Sequence, residues 1–352
     1  EGLLNGLVLM PLSRLEKLRL RREDPFIKVA GLNEAYNRLP GESPAVQYAV
    51  TAMQPIDPEY TRRTIEERTR VERQLADGYA SANLGVTFDY QGSVTSDTHI
   101  RVYSDVDLLT IEQRWFAVQP PNTPEVRYSG DTVGNLRELR RGAVAILRPA
   151  FPAATVDDSG SKAINISGGS LRRKIDVIAC AWLHTVEYVQ NRQKHWIGIE
   201  ILDNELGQRV SNKPFLHNKR ITDRDLATNG GLRKLIRLLK SLKYDSDGKI
   251  EMSSYDIAGV IFNIFTDWLI ARPGQDLLLI KNCQAYLHHL IADPIYRESI
   301  EVPNGMRKVF CAEGATETGL RQMAGAMDLL VAEIQQGLDT SFRKLAEARI
   351  IY

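Results

Sequence analysis

The run Gln91-Gly92-Ser93, followed at a fixed interval by Asp105-Val106-Asp107, most restricts what this chain folds into. Val86 to Gln91 is β-prone, Gly92-Ser93 breaks it, and Val106 to Ile111 is apolar enough for a second, half-buried strand. Residues two apart on a strand point to the same side, so Asp105 and Asp107 project together while Val106 and Leu108 face a core. Two like charges held that close call for a compensating cation. Hard oxygen ligands with an incomplete protein shell suit Mg²⁺, which normally also takes waters and substrate phosphates. Gly92 lets a backbone approach phosphate, and Ser93 offers a hydroxyl to it. Either motif alone is more often a solvated strand edge or a turn. Their order and spacing together favour a site for metal and triphosphate.

Such a site needs a further carboxylate from a neighbouring strand. Asp157 and Asp158 sit in a Ser/Gly-rich turn, and Asp203 precedes Asn204 and Gly207 in an expected hairpin. Asp176 instead lies within the apolar run Lys174 to Cys180, where an unpaired charge is costly, which makes it the expected third ligand. The alternative is a buried aspartate paired with Arg172 or Arg173.

Around this segment the pattern is mixed. Asp57 to Asn83 reads as a long amphipathic helix with Ile65, Val71, Leu75, Tyr79 and Ala82 on one face. A helix from Thr132 to Leu147 is stopped by Pro149, and strands follow at Ala163 to Ser167 and Arg173 to Trp182. From about Thr222 the periods become helical: Leu232 to Leu242, Tyr255 to Ile270, Leu277 to Ala292 and Thr318 to Ala346. The 352 residues thus divide into an expected 1–220 sheet-containing core with an N-terminal helix and a 221–352 helical lobe, an α+β protein. Lys and Arg total 45 against 44 Asp and Glu, so no global field draws the chain to nucleic acid or an anionic membrane. Cys180, Cys283 and Cys311 are far apart and lack metal spacing, which suggests reduced thiols in a cytoplasmic protein. The apolar stretch from Gly6 to Leu12 is far shorter than the ~20 residues that span a bilayer.

These segments resemble the cyclic-oligonucleotide synthases related to cyclic GMP-AMP synthase and oligoadenylate synthase, above all the bacterial anti-phage CD-NTases. The resemblance covers roughly residues 60–260 and extends past the metal motif. Gly231 to Lys240 is similar to the helix whose lysine contacts the donor triphosphate. Ser253-Ser254-Tyr255 is similar to the element whose serine binds phosphate and whose tyrosine stacks on the base. The resemblance therefore implies Lys240, Ser254 and Tyr255 as nucleotide contacts beside Gly92 and Ser93, with Asp105, Asp107 and Asp176 as catalytic metal ligands. It also implies a polymerase-β-like nucleotidyltransferase core with a mixed sheet, a C-terminal helical bundle and the site in the cleft between two lobes. The implied cofactor is a pair of Mg²⁺ ions, replaceable by Mn²⁺. The implied substrates are nucleoside triphosphates (ATP, GTP or pyrimidine nucleotides), the product a cyclic di- or trinucleotide messenger, and a further partner a regulatory protein of the same defence system. A linear oligonucleotide or poly(A)-type transferase, or one acting on small molecules, is the alternative on the same core. Independently of the resemblance, Arg233, Arg237 and Lys240 recur at helical spacing as a basic stripe, and a tyrosine opening an apolar helix offers its ring to a base. The six histidines are read as structural, with His99 near the active loop.

Overall fold

The computed structural model describes residues 12–22, 42–101 and 106–348. Asp105 lies outside them, as do residues 6–11 of the N-terminal apolar stretch. The centre is a mixed seven-stranded sheet: β1 (Val86–Gln91), β2 (Val106–Val118), β3 (Thr155–Asp157), β4 (Ala163–Gly168), β5 (Leu171–His184), β6 (Gly198–Asp203) and β7 (Gln208–Asn212). Its path runs β1-β2-β5-β4-β3, with β6 bridging β5 and β7. β2 and β5 are parallel and the other pairs antiparallel. β5 is long enough to pair three neighbours, with β2 along one edge and, along the other, β4 beside its first half and β6 beside its second.

Alternation along these strands assigns the faces. Leu108, Ile175, Val177 and Ala179 turn to the back, where they join Val71, Leu75, Tyr79, Leu136, Leu139 and Leu147 of two helices, Pro58–Ser81 and Thr132–Ala150. Leu109, Ile111, Ile178 and Cys180 turn to the front and pack on Ile199, Ile201 and Phe215. Odd positions of β2 and even positions of β5 thus share the front, which puts Asp107 and Asp176 there.

The Pro58–Ser81 helix is started by Asp57, whose carboxylate accepts from the Glu59 amide, with Pro58 in the first turn. Its buried face departs from the expected one. Ile65 is exposed, and the face runs instead through Tyr60, Thr64 and Arg68 into Val71, Leu75 and Tyr79. Polar residues are held there by specific partners: the Arg68 guanidinium lies 3.3 Å from the Tyr90 ring centroid, and Thr64 accepts from Arg173. The second helix runs on through Pro149 to Ala150, since a proline in a last turn forfeits only one ladder bond. The helix expected over Tyr255 to Ile270 is broken into Ser254–Phe262 and Thr266–Leu269. Asn263 ends the first part by donating to the Gly259 and Glu301 carbonyls.

The helical lobe is one large core containing Leu235, Leu239, Leu242, Ile257, Ile261, Leu287, Met323 and Met327. Leu15 and Leu18 of helix Arg14–Arg22 and Tyr48, Ala49 and Met53 of helix Pro44–Met53 belong to it, so residues from near both ends of the chain build that lobe. Helix Pro214–Ala227 joins the two cores, giving Phe215 to the front of the sheet and Ile221 to the helical core. Among the described residues no helix is long and apolar enough to cross a membrane.

Candidate active site

One row of polar residues crosses four strands on the front face. Gln91 pairs with Asp107, Asp107 with Asp176, and Asp176 with Asn165, each in register. Asp107 and Asp176 are therefore neighbours across the parallel β2–β5 pair. Asn165 Nδ2 donates to Asp176 Oδ1 at 2.7 Å, and Lys174 Nζ stands 3.3 Å from the same oxygen. Arg173 points the other way and pairs with Glu67 at 3.0 Å on the back, so it does not neutralise Asp176. The remaining acidic candidates are engaged in turns. Asp157 accepts from the Ser159 amide, Asp158 pairs with Arg148, and Asp203 accepts from the Leu206 amide in the β6–β7 hairpin.

Gly92 ends β1 with φ +94°, and a Cβ there would stand 2.6 Å from Asp107 Oδ2. Glycine is needed for both the dihedral and the space. The following turn is closed by bonds from the Ser96 amide to Gly92 O at 3.3 Å and from the Thr98 amide to Ser93 O at 2.9 Å. Thr95 and Ser96 hydroxyls also bond Gly92 O. Among the described residues the hydroxyls of Ser93 and Ser254 have no hydrogen-bond partner.

The row and the turn open on a cavity of about 380 Å³ whose wall includes Gln91, Gly92, Ser93, Asp107 and Asp176 on the sheet side and Lys240, Ser254 and Tyr255 on the helical side. Lys240 is 5% exposed, and its Nζ donates to Thr98 O at 2.7 Å. Burial, with Arg237, Arg101, Lys243 and Arg21 nearby, brings its ammonium down to about 7. Arg101 and Tyr244 also line the cavity, the guanidinium 3.9 Å from the ring centroid. The Tyr255 ring stacks on His217 at 5.0 Å between centroids, and its hydroxyl donates to Asn304 Oδ1 at 2.9 Å. Burial pushes the phenol up to about 12, so it stays a donor.

The donor set fits Mg²⁺. Asp107 and Asp176 are hard oxygen ligands in register, and Gln91 Oε1 beside Asp107 is buried with no hydrogen-bond partner in the structure. Among the described residues no group of three His, Cys, Asp or Glu converges as a metal cluster, and Asp105 lies outside them.

No family model matches the chain. A cyclic dinucleotide synthase CdnE of Yersinia aleksiciae is 39% identical over 290 residues, covering 80% of this chain and 75% of that protein. A c-di-GMP synthase of Capnocytophaga granulosa is 33% identical over 287 residues, covering 75% of this chain and 80% of its own length. The solved structure of a STING-associated CdnE c-di-GMP synthase from Capnocytophaga granulosa matches 92% of this chain and 98% of that one, with TM-score 0.74 and 26% identity. The chain belongs to the CD-NTases. It is a nucleotidyltransferase of that family, with the mixed sheet and helical lobe the sequence led us to expect.

In this CD-NTase the expected basic stripe forms, but it turns inward. Arg233, Arg237 and Lys240 reach the carbonyls of Ser96, Asp97 and Thr98 instead of solvent. His99 is buried beside the turn and bonds Thr61 at 3.0 Å, so it holds the loop from behind and does not line the cavity. His217, read from sequence as structural, does line it, together with Asn212, Asn218, Tyr244 and Asn304. These residues are far from the motif in sequence and carry no local signature. Only the Pro303-Asn304-Gly305 turn hinted that Asn304 stands at a bend.

Burial pushes the imidazoles of both His99 and His217 down to about 4. Their folded-state values lie below the ordinary 6.5, so the fold favours the neutral form. That stability is complete above pH 6.5 and is lost as pH falls through the window to 4. Each histidine contributes on the order of 3 kcal/mol over it. Denaturant unfolding at pH 7 and pH 4.5 should show this decline, and His217→Gln should make it smaller. A variant with an unchanged pH slope would reject the assignment.

Proposed function

We propose that this CD-NTase joins two nucleoside triphosphates into a cyclic dinucleotide in the cleft between its lobes, as a second messenger in anti-phage defence. The observation that carries the reading is the in-register pair Asp107–Asp176 beside the glycine-opened turn at Ser93, in one cavity with Lys240, Ser254 and Tyr255. Asp105, Asp107 and Asp176 would hold Mg²⁺, with Mn²⁺ as a substitute. When bound, the metal stabilises charge on the attacking and leaving oxygens of an in-line displacement. Asn165 fixes the Asp176 carboxylate by its 2.7 Å bond, and Gly92 leaves Asp107 room beside the turn.

Ser93 and Ser254 present hydroxyls without other partners to the donor's phosphates, from opposite walls of the cavity. Lys240, with an ammonium near pKa 7, gains charge as an anionic phosphate chain enters and so favours its binding. Tyr255, its ring already backed by His217, offers a flat face to a base. The acceptor's ribose hydroxyl attacks the donor's α-phosphate, pyrophosphate leaves, and a second transfer closes the ring. Incubating the protein with the four labelled triphosphates and Mg²⁺ or Mn²⁺, then identifying products by mass, tests this. The expected product is a cyclic dinucleotide that resists phosphatase. A phosphatase-sensitive linear product alone, or no product, would overturn the reading.

A further inference from the structure

The turn at Gly92–Thr98 belongs to the sheet, yet the helix Gly231–Asp245 of the other lobe grips it at three consecutive carbonyls. Arg233 Nε donates to Ser96 O at 2.8 Å, Arg237 Nη1 to Asp97 O at 2.9 Å and Lys240 Nζ to Thr98 O at 2.7 Å. The donors stand at i, i+4 and i+7, one face of the helix. The middle one does most. Asp97 has φ +51°, a left-handed conformation that a non-glycine residue keeps only when its surroundings hold it there. Arg237 Nη1 also stands 3.5 Å from the Asp97 carboxylate, while Nε is anchored on Met53 O at 3.0 Å. Arg237 is 5% exposed, and a guanidinium so enclosed has no freedom to follow the turn if it shifts. Inside the turn, the Asp97 amide bonds Val94 O at 3.3 Å and the Thr98 amide bonds Ser93 O at 2.9 Å, so the conformation of Asp97 is passed directly to Ser93.

We propose that Arg237 is a positioning residue for nucleotidyl transfer: it holds Asp97 in the left-handed conformation and thereby aims the Ser93 hydroxyl and the turn's amides at the donor's phosphates. This rests on the reading of that turn as the phosphate site. Arg237 lies outside the wall of the cavity and acts only through the turn.

The test uses calorimetric binding of non-hydrolysable analogues of the four triphosphates with Mn²⁺, read per folded molecule, beside the apo melting temperature. Arg237→Gln is expected to weaken the tightest analogue about ten- to a hundredfold, the loss of a buried charged hydrogen bond. Arg237→Lys should recover part of it, because an ammonium still reaches one carbonyl. The decisive variant adds Asp97→Gly to Arg237→Gln. Glycine adopts a positive φ without strain, so affinity should rise again by severalfold. A residue that merely staples Met53 O would lower the melting temperature without altering affinity, and Asp97→Gly would rescue nothing. Either result overturns the proposal. Ser93→Ala separates it from the reading beneath it. If Ser93→Ala weakens binding and Arg237→Gln does not, only the positioning role falls. If both leave affinity within twofold of the parent, the phosphate site itself is misassigned and the proposal falls with it. Should Arg237→Gln not fold, Arg237→Lys alone and with Asp97→Gly carries the same comparison.

Discussion

The double substitution Asp105→Ala, Asp107→Ala is expected to abolish product formation, by at least about a thousandfold, while the apo melting temperature stays equal or rises. The first effect follows from the proposed role of these carboxylates, which would hold a metal worth several kcal/mol to the transition state. The second follows from the register. Asp107 and Asp176 face the same side of neighbouring parallel strands, whose spacing is about 4.8 Å. Two carboxylates so placed repel by on the order of 1 kcal/mol or more in a partly buried site. Lys174 and Asn165 relieve that at Asp176 and are untouched by the substitution. Leu108 keeps the strand's hold on the back core, and Val106 stays buried beside it in the chain. Mass analysis of products and a thermal scan of the apo protein check the two halves. Turnover within tenfold of the parent would reject the metal assignment, and a large drop in melting temperature would mean the pair supports the fold.

What was legible in the sequence was whatever depends on short range. The β1 boundary at Gln91, the break at Gly92 and the choice of Asp176 over Asp157, Asp158 and Asp203 all come from alternation and turn chemistry, which act over a few residues. The third-carboxylate choice rested on burial that is visible in Lys174 to Cys180, where apolar residues on both faces make a lone aspartate conspicuous, and the register sets that aspartate beside Asp107. Tertiary pairing was not legible. Nothing near Arg68 or Thr64 announces the Tyr90 ring or Arg173 that allow them to replace Ile65 on the buried face. The stripe at Arg233, Arg237 and Lys240 was visible as a period, but its direction is set by the carbonyls of a turn about 140 residues upstream. Asn304 enters the cavity from a loop after Ile300, held by Tyr255, Asn212 and Lys213, and those partners are defined only once the lobes are assembled.

Asp176→Asn should separate binding from chemistry. Asparagine keeps the shape of aspartate and keeps an oxygen for Asn165 Nδ2, so the β4–β5 register at that rung survives. Lys174 loses its countercharge, but its side chain is 38% exposed and water replaces the carboxylate at little cost. The proposed donor contacts, Ser93, Lys240, Ser254 and Tyr255, lie elsewhere on the cavity wall, so the affinity for a non-hydrolysable analogue should stay within about threefold, roughly 0.7 kcal/mol. Single-turnover rates should instead fall by about a hundredfold or more, since the amide would bring no charge to a metal ion held at this position to favour attack by the acceptor hydroxyl. No described carboxylate stands ready to replace it. Asp157 and Asp203 are committed to turn amides and Asp158 to Arg148, and none of the three lines the cavity. A variant that binds normally and turns over within tenfold of the parent would therefore mean that Asp105 and Asp107 suffice for the metal and that Asp176 serves only the strand.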